Sequence, residues 1–163
     1  MRMTFGTFEI DADVQKTRQF YAAAQTVTET CGCAGCRNFE QAAASLPAPV
    51  RSFLAALGVD LRKVCECYVN TADTDGMLLY GGFCHICGTL LRGESAWQRQ
   101  SDTEAIWSED AAFPVTGTFR VSFQNEICLP EPDFPAPVIQ LEFSARIPWV
   151  LPGENPWLQS QTP

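Results

Sequence analysis

Two segments in the second half of the chain alternate apolar and polar side chains, and this pattern constrains the fold more strongly than any other feature. Every second residue is apolar in 119–123 and again in 139–147. A period of two places the apolar side chains on one face of a β-strand and the polar ones on the other. Antiparallel sheets commonly pack one face and leave the other in water. We therefore predict an antiparallel sheet whose solvent face carries Gln124, Gln140 and Glu142.

The first third of the chain predicts helices instead. Asp11 or Asp13 can cap a first helix, and a second, short helix is predicted over 37–44. The clearest helix covers 47–57, where apolar residues recur at i, i+3, i+4 and i+7 and a glycine follows directly. Ser45 is its predicted cap, with prolines in or before the first turn.

Four shorter strands complete the predicted sheet: 3–10, 64–70, 77–80 and 83–91. A Gly-Gly pair, which would weaken or bend a strand, separates the last two, and residues 92–114 are predicted as a loop with a helical turn. Helices that come early and strands that come late indicate the α+β class. We expect two or three helices from the N-terminal half to pack on one face of the antiparallel sheet.

Composition and charge limit the classes of function. The chain has 163 residues, of which 46% are apolar and 18% charged, as expected for one globular domain. We assign residues 1–150 to a single domain and 151–163 to a Pro-rich C-terminal tail. A net charge of −8 argues against partners such as nucleic acid and anionic membranes. No apolar run is long enough for a bilayer span or a signal peptide, so a cytoplasmic location is expected.

Two groups of cysteines are spaced as in metal sites. Cys31, Cys33 and Cys36 fall within six residues, and Cys84 and Cys87 form a second C-x-x-C pair. In a reducing compartment, clustered thiols are more often free or metal-bound than oxidised. Zinc prefers four ligands in a tetrahedron, with thiolates and imidazoles among them. The predicted ligands of such an ion are Cys31, Cys33, Cys36, Cys84, His85 and Cys87.

The same cysteines also admit simpler interpretations. In a regular strand Cys84 and Cys87 would point to opposite faces and could not share one ion. Cys65 and Cys67 would share a face, either as core residues or with one of them as a fourth ligand of the first group. Cys128 is most simply a packing residue.

Two alternative functions remain open. The Cys33–Cys36 pair precedes a predicted helix, and a helix N-terminus lowers the pKa of a thiol, as in redox proteins or redox sensors. Alternatively, all the thiols only pack, in a protein that neutralises a partner. The sequence assigns no catalytic residue, because the single histidine has no evident partner for nucleophilic catalysis and no phosphate loop occurs. The leading prediction is a non-enzymatic binding or adaptor domain with a structural zinc ion.

Four tryptophans lie outside the clearest strands, at positions 97, 107, 149 and 157. Aromatic side chains in loops can line a pocket or anchor a protein or small-molecule partner. They can equally cover the open end of a sheet, and this is the simpler interpretation.

The segment Cys31–Phe39, with a helix that ends Leu57-Gly58-Val59-Asp60, resembles a group of small uncharacterised bacterial proteins. These proteins share the motif C-x-C-x-x-C-[RK]-N-[FY] ahead of a helix that ends L-G-[IV]-D. The stretches 80–83 and 147–149 are similar to further parts of that group. The resemblance covers most of the chain and implies no activity. It includes the first cysteine group and not the pair Cys84 and Cys87, so it favours Cys31, Cys33 and Cys36 as the centre of any site.

Overall fold

The computed structural model describes residues 1–159. In chain order its elements are β1 (Arg2–Phe5), β2 (Phe8–Ala12), α1 (Val14–Ala23), α2 (Val27–Thr30), α3 (Ala34–Ala43), α4 (Ala48–Leu57), a 3-10 turn (Leu61–Lys63), β3 (Glu66–Ala72), β4 (Met77–Arg92), β5 (Trp97–Arg99), β6 (Ala105–Trp107), β7 (Phe113–Thr116), β8 (Phe119–Gln124), β9 (Val138–Pro148) and α5 (Pro156–Gln159). The predicted α+β class is confirmed.

Within the described chain, seven strands form one antiparallel sheet in the order β1-β2-β4-β9-β8-β7, and β3 also pairs with β4. The long strand β4 is the centre of this sheet. One edge of β4 pairs with β9, from Met77 opposite Pro148 to Cys87 opposite Val138. The other edge is divided between β3, which pairs with the first half of β4, and β2, which pairs with the last residues.

Helix α1 lies at the gap that β3 and β2 leave along this edge of β4. Asp13 caps the helix, since its carboxylate accepts from the N–H of Lys16 at 3.0 Å. The N–H of Asp13 also donates to the carbonyl oxygen of Cys87 at 2.7 Å, and the Thr17 hydroxyl accepts from the N–H of Cys87 at 3.0 Å. The helix thus supplies hydrogen bonds that a neighbouring strand would otherwise provide.

The core lies between the helices and the apolar face of the sheet. Phe39 of α3 stacks on Phe143 of β9, with ring centroids 5.6 Å apart, and contacts Tyr80 of β4. The clearest predicted helix is observed as α4, and Gly58 ends it in the left-handed conformation, with φ 79°. Its N-cap is Pro47 rather than the predicted Ser45.

Several element boundaries differ from prediction. The single strand predicted over 3–10 is a hairpin, because Gly6 takes a φ of 59° and turns the chain between β1 and β2. The glycine pair Gly81 and Gly82, predicted to weaken or bend a strand, lies inside the continuous strand β4. The ring of Tyr68 covers Gly81, and Phe143 crowds Gly82, so neighbouring side chains fill the space that the glycines leave.

The predicted loop 92–114 contains a hairpin, β5–β6, which forms a separate two-stranded sheet. The hairpin is anchored to the polar face of the main sheet, where the N–H of Ala96 donates to the Ser122 hydroxyl at 2.7 Å. The prediction that this face lies in water is therefore wrong where the hairpin covers it. Gln140 is fully buried and Glu142 is only 6% exposed.

The predicted tail partly packs on the domain. Trp149 and Trp157 contact each other, with ring centroids 6.1 Å apart, and the ring of Trp157 lies beside Gly35 of α3. Residues 160–163 of that predicted tail lie outside the described residues. None of the helices within 1–159 is long and apolar enough to cross a membrane.

Candidate metal centre

The sulfur atoms of Cys31, Cys33 and Cys36 lie within 4.8 Å of one another. Cys31 follows α2 and Cys33 is the N-cap of α3, so the turn between the two helices brings the first two thiols together. Cys36 lies in the first turn of α3, and its N–H donates to the Cys33 sulfur at 3.4 Å. Helix α3 begins at Ala34, earlier than the predicted residue 37, which places this C-x-x-C pair at a helix N-terminus.

Hydrogen bonds between α2 and α3 hold this turn in place. The Glu40 carboxylate of α3 accepts from both the N–H and the hydroxyl of Thr28, at 2.9 and 2.5 Å. At the start of α2, the Glu29 carboxylate accepts from the N–H of Thr26 at 2.6 Å. The three thiols are therefore presented by two short helices that are fastened to each other.

A fourth sulfur comes from β3. The Cys67 sulfur lies 3.9 Å from that of Cys36. Four sulfurs bound to one zinc ion at about 2.3 Å are about 3.8 Å apart, because the arrangement is tetrahedral. Cys67 therefore lies at the distance from Cys36 that a shared ion requires. Its sulfur is not within 4.8 Å of both Cys31 and Cys33, so these thiols would have to move towards it to complete a four-sulfur site. Cys31 and Cys33 are exposed, whereas Cys36 is buried and Cys67 is half-buried, so one side of the cluster faces solvent.

The thiols of this cluster differ in acidity. The hydrogen bond from the N–H of Cys36 lowers the pKa of the Cys33 thiol, against the opposing effect of burial. Burial raises the pKa of Cys36, and the nearby Cys67 adds to this effect. Burial also raises the pKa of Cys67 to about 12. A dication among these sulfurs would stabilise their thiolates and release the protons.

Cys84, His85 and Cys87 lie elsewhere, on β4. Among the described residues, Cys84 and Cys87 belong to neither group of close ligand atoms, and both are fully buried. Cys84 packs in the core between helices and sheet, and burial raises its pKa. The thiol of Cys87 points to the opposite face and donates to the carbonyl oxygen of Ala136 at 3.8 Å. The structure thus brings Cys67, rather than these residues, beside Cys36.

His85 belongs to a second group of close ligand atoms, with Cys65 and Glu131. The His85 Nδ1 and the Glu131 Oε2 atoms are 2.5 Å apart, which is a short hydrogen bond. Zinc between a nitrogen and an oxygen ligand would hold them about 3.3 Å apart, from bonds of about 2.0 Å. The Cys65 thiol donates to the carbonyl oxygen of Leu129 at 3.2 Å, and burial raises its pKa to about 12. The three ligand atoms are spaced so that they could hold a metal ion, but in this structure His85 and Glu131 are hydrogen-bonded directly to each other.

A chain of buried polar side chains continues from His85 across the sheet. The Gln140 Oε1 atom faces His85 Nε2 at 3.2 Å and accepts from the N–H of Cys128 at 2.7 Å. The Gln140 amide donates to Glu142 Oε1 at 2.5 Å, and the Gln124 amide donates to the same oxygen at 3.0 Å. Sequence reasoning missed this network because period-two patterning assigns these residues to solvent. The sequence feature that could have indicated a segment covering these polar residues is the pair of tryptophans at 97 and 107, which contact each other in the β5–β6 hairpin.

The fold and the site define an α+β protein with a thiol-rich cluster on its helical side. The chain matches no protein-family model, no curated protein and no solved structure.

Proposed function

We propose that this protein is a cytoplasmic, non-enzymatic binding domain in which Cys31, Cys33, Cys36 and Cys67 hold a structural zinc ion. The observation that carries the proposal is the 3.9 Å separation between the sulfurs of Cys36 and Cys67, beside three sulfurs that lie within 4.8 Å of one another. Four thiolates are a common ligand set for structural zinc, and they leave no position for a substrate.

A zinc ion at this position would join parts of the fold that are distant in sequence. Cys31 and Cys33 lie at the α2–α3 turn, whereas Cys67 lies on β3. The ion would therefore fasten the turn to the sheet. In small metal-binding domains, ion binding and folding are coupled because the unfolded chain does not present a formed site.

A second candidate function is thiol redox chemistry at Cys33 and Cys36. The lowered pKa of Cys33 at the N-terminus of α3 favours it, since a thiolate is the reactive form. The buried position of Cys36 and its raised pKa argue against rapid exchange at the second sulfur. The third alternative, thiols that only pack in a protein that neutralises a partner, predicts neither metal nor a reactive thiol.

Metal content and thiol reactivity together distinguish these alternatives. We expect the protein purified under reducing conditions to contain about one zinc ion per chain, with four thiols that react with a disulfide reagent only after chelation. Cys67→Ser should lose most of the bound zinc, whereas Cys128→Ser, at an exposed thiol outside the cluster, should retain it. A metal-free protein with one fast-reacting thiol would instead support redox chemistry, and a metal-free protein with slowly reacting thiols would support packing alone.

A further inference from the structure

A cavity of about 460 Å³ lies on the face of the sheet opposite the helices, between the strands and the β5–β6 hairpin. This volume is in the range of sites for small molecules. The cavity is separate from the thiol cluster, since its walls come from β3, β4, β8 and β9 on one side and from residues 95–105 on the other.

The carboxylate of Glu142 lines this cavity although the residue is only 6% exposed. Two amides, from Gln124 and Gln140, donate to the same oxygen, Oε1. Gln124 is held in turn by the Ser95 hydroxyl at 2.9 Å, and Gln140 by the N–H of Cys128. The carboxylate is therefore fixed in orientation before any ligand arrives. Burial raises its pKa, and a positive charge in the cavity would oppose this effect by stabilising the ionised form.

Three aromatic side chains, Tyr68, Phe83 and Trp97, also line the cavity. The ring of Tyr68 lies against Gly81, where a Cβ atom would be 2.7 Å from it, so this glycine makes room for the ring. The faces of aromatic rings attract cations, and cages of such rings recognise ammonium groups.

Most charged side chains around the cavity are negative, as a site for a cation requires. The lining includes four carboxylates, those of Asp102, Glu104, Glu126 and Glu142, and one guanidinium, that of Arg99. The whole chain carries a net charge of −8. Such a field raises the local concentration of cations and disfavours anions.

We infer that this cavity binds a small organic ammonium ion, with the charged nitrogen beside Glu142 and the aliphatic part against the aromatic rings. A neutral molecule of the same size would leave the buried carboxylate without a countercharge, and an anion would be repelled by it. This site goes beyond the proposed metal centre and does not depend on it, because the two lie on opposite faces of the sheet.

Calorimetric titration of the full chain with butylammonium, tetramethylammonium and neutral butanol tests this inference. We expect saturable binding of at least one ammonium ion, and binding of butanol that is about tenfold weaker or more. Glu142→Gln keeps the Oε1 acceptor for both amides but removes the charge, and should weaken ammonium binding by a similar factor. Asp60→Asn is the matched control, because it also replaces one carboxylate by an amide, but away from the cavity. The amide oxygen can still accept from the N–H of Arg62 as the N-cap of the 3-10 turn. This variant should bind as the wild type does.

A second variant reports on the aromatic wall. Trp97→Leu should weaken tetramethylammonium binding several-fold, while circular dichroism and the midpoint of thermal unfolding confirm that the variant folds. Failure of both ammonium ions to bind, or equal affinity of wild type and Glu142→Gln, would overturn the inference. Zinc content measured on the same samples keeps the two proposals apart, since loss of one would leave the other unaffected.

Discussion

The hydroxyl of Tyr21 satisfies both backbone groups of His85: it donates to the carbonyl oxygen at 2.9 Å and accepts from the N–H at 3.1 Å. His85 lies where β4 has neither β3 nor β2 beside it, so its backbone has no strand partner on that edge. The Tyr21 side chain of α1 therefore makes the two hydrogen bonds that a neighbouring strand would otherwise make. Because both backbone groups are buried, their hydrogen bonding on this edge depends on a single oxygen atom.

Tyr21→Phe tests this dependence. The variant leaves a buried N–H and a buried C=O without partners, so we expect the free energy of unfolding to fall by about 2–4 kcal/mol. Urea unfolding followed by circular dichroism measures the change. Tyr68→Phe removes a hydroxyl from a residue that is 37% exposed and should change stability by less than about 0.5 kcal/mol. Similar values for both variants would contradict this role of Tyr21.

Features that depend on neighbouring residues could be predicted from the sequence, whereas features that depend on contacts between distant residues could not. The strands β8 and β9 follow from a local period of two, and α4 follows from its own apolar spacing and Gly58. The continuity of β4 could not be predicted, because Tyr68 and Phe143 fill the space at the glycines from other strands.

The same argument applies to the candidate site. Cys31, Cys33 and Cys36 fall within six residues, and the α2–α3 turn together with the first turn of α3 keeps their thiols close in space. Cys67 lies 31 residues after Cys36 and meets it through the packing of α3 on β3, which no local pattern specifies. The partner of His85, Glu131, lies 46 residues away in a Pro-rich connector. Its position depends on how that connector folds back over the sheet.

The pair of His85 and Glu131 should make stability depend on pH. Burial alone would raise the pKa of the Glu131 carboxyl, but the hydrogen bond from His85 and a backbone hydrogen bond lower it below its ordinary value of 4.5. A lowered pKa in the folded state contributes stability above the unfolded-state value, and this contribution is lost as the pH falls through the folded-state value.

Glu131→Gln should therefore cost about 1–2 kcal/mol at pH 7, with a penalty that shrinks as the pH falls below about 4.5. Urea unfolding at pH 7, 5 and 3.5 measures the difference. Asp133→Asn changes an exposed carboxylate two residues along the same connector and should have little effect at any of these pH values. A penalty for Glu131→Gln that stays constant with pH would exclude the ionised Glu131 carboxylate as its cause.

Asn38 joins α3 to the end of β9. Its amide donates to the Tyr80 hydroxyl at 3.2 Å and to the carbonyl oxygen of Pro148 at 3.1 Å, and its Oδ1 accepts from the N–H of Val150 at 2.7 Å. The side chain is fully buried. Asn38→Ala should therefore lower the free energy of unfolding by about 2–4 kcal/mol, because several buried groups lose their partner. Gln41→Ala, on the exposed face of α3, is the control in the same unfolding assay and should be nearly neutral.

Gly82 connects the sheet to the proposed metal centre, since it pairs with Cys67 across β3 and β4. A Cβ atom at this position would lie 2.5 Å from the ring of Phe143 and would also clash with the carbonyl oxygen of Glu66. Gly82→Ala must therefore push β3 away or move Phe143. We expect it to cost about 2 kcal/mol or more in unfolding free energy and to weaken zinc retention against a chelator, because Cys67 moves with β3.

Gly32→Ala is the informative comparison for this last variant. Gly32 lies between two of the proposed ligands, yet a Cβ atom there would meet no atom within 4 Å. We expect this variant to retain zinc and stability, although it is far closer in sequence to the cluster than Gly82 is. Zinc release to a coloured chelator and urea unfolding, measured on both variants, provide the test. If Gly32→Ala loses the ion and Gly82→Ala keeps it, then the pairing of β3 with β4 does not position Cys67 as a ligand.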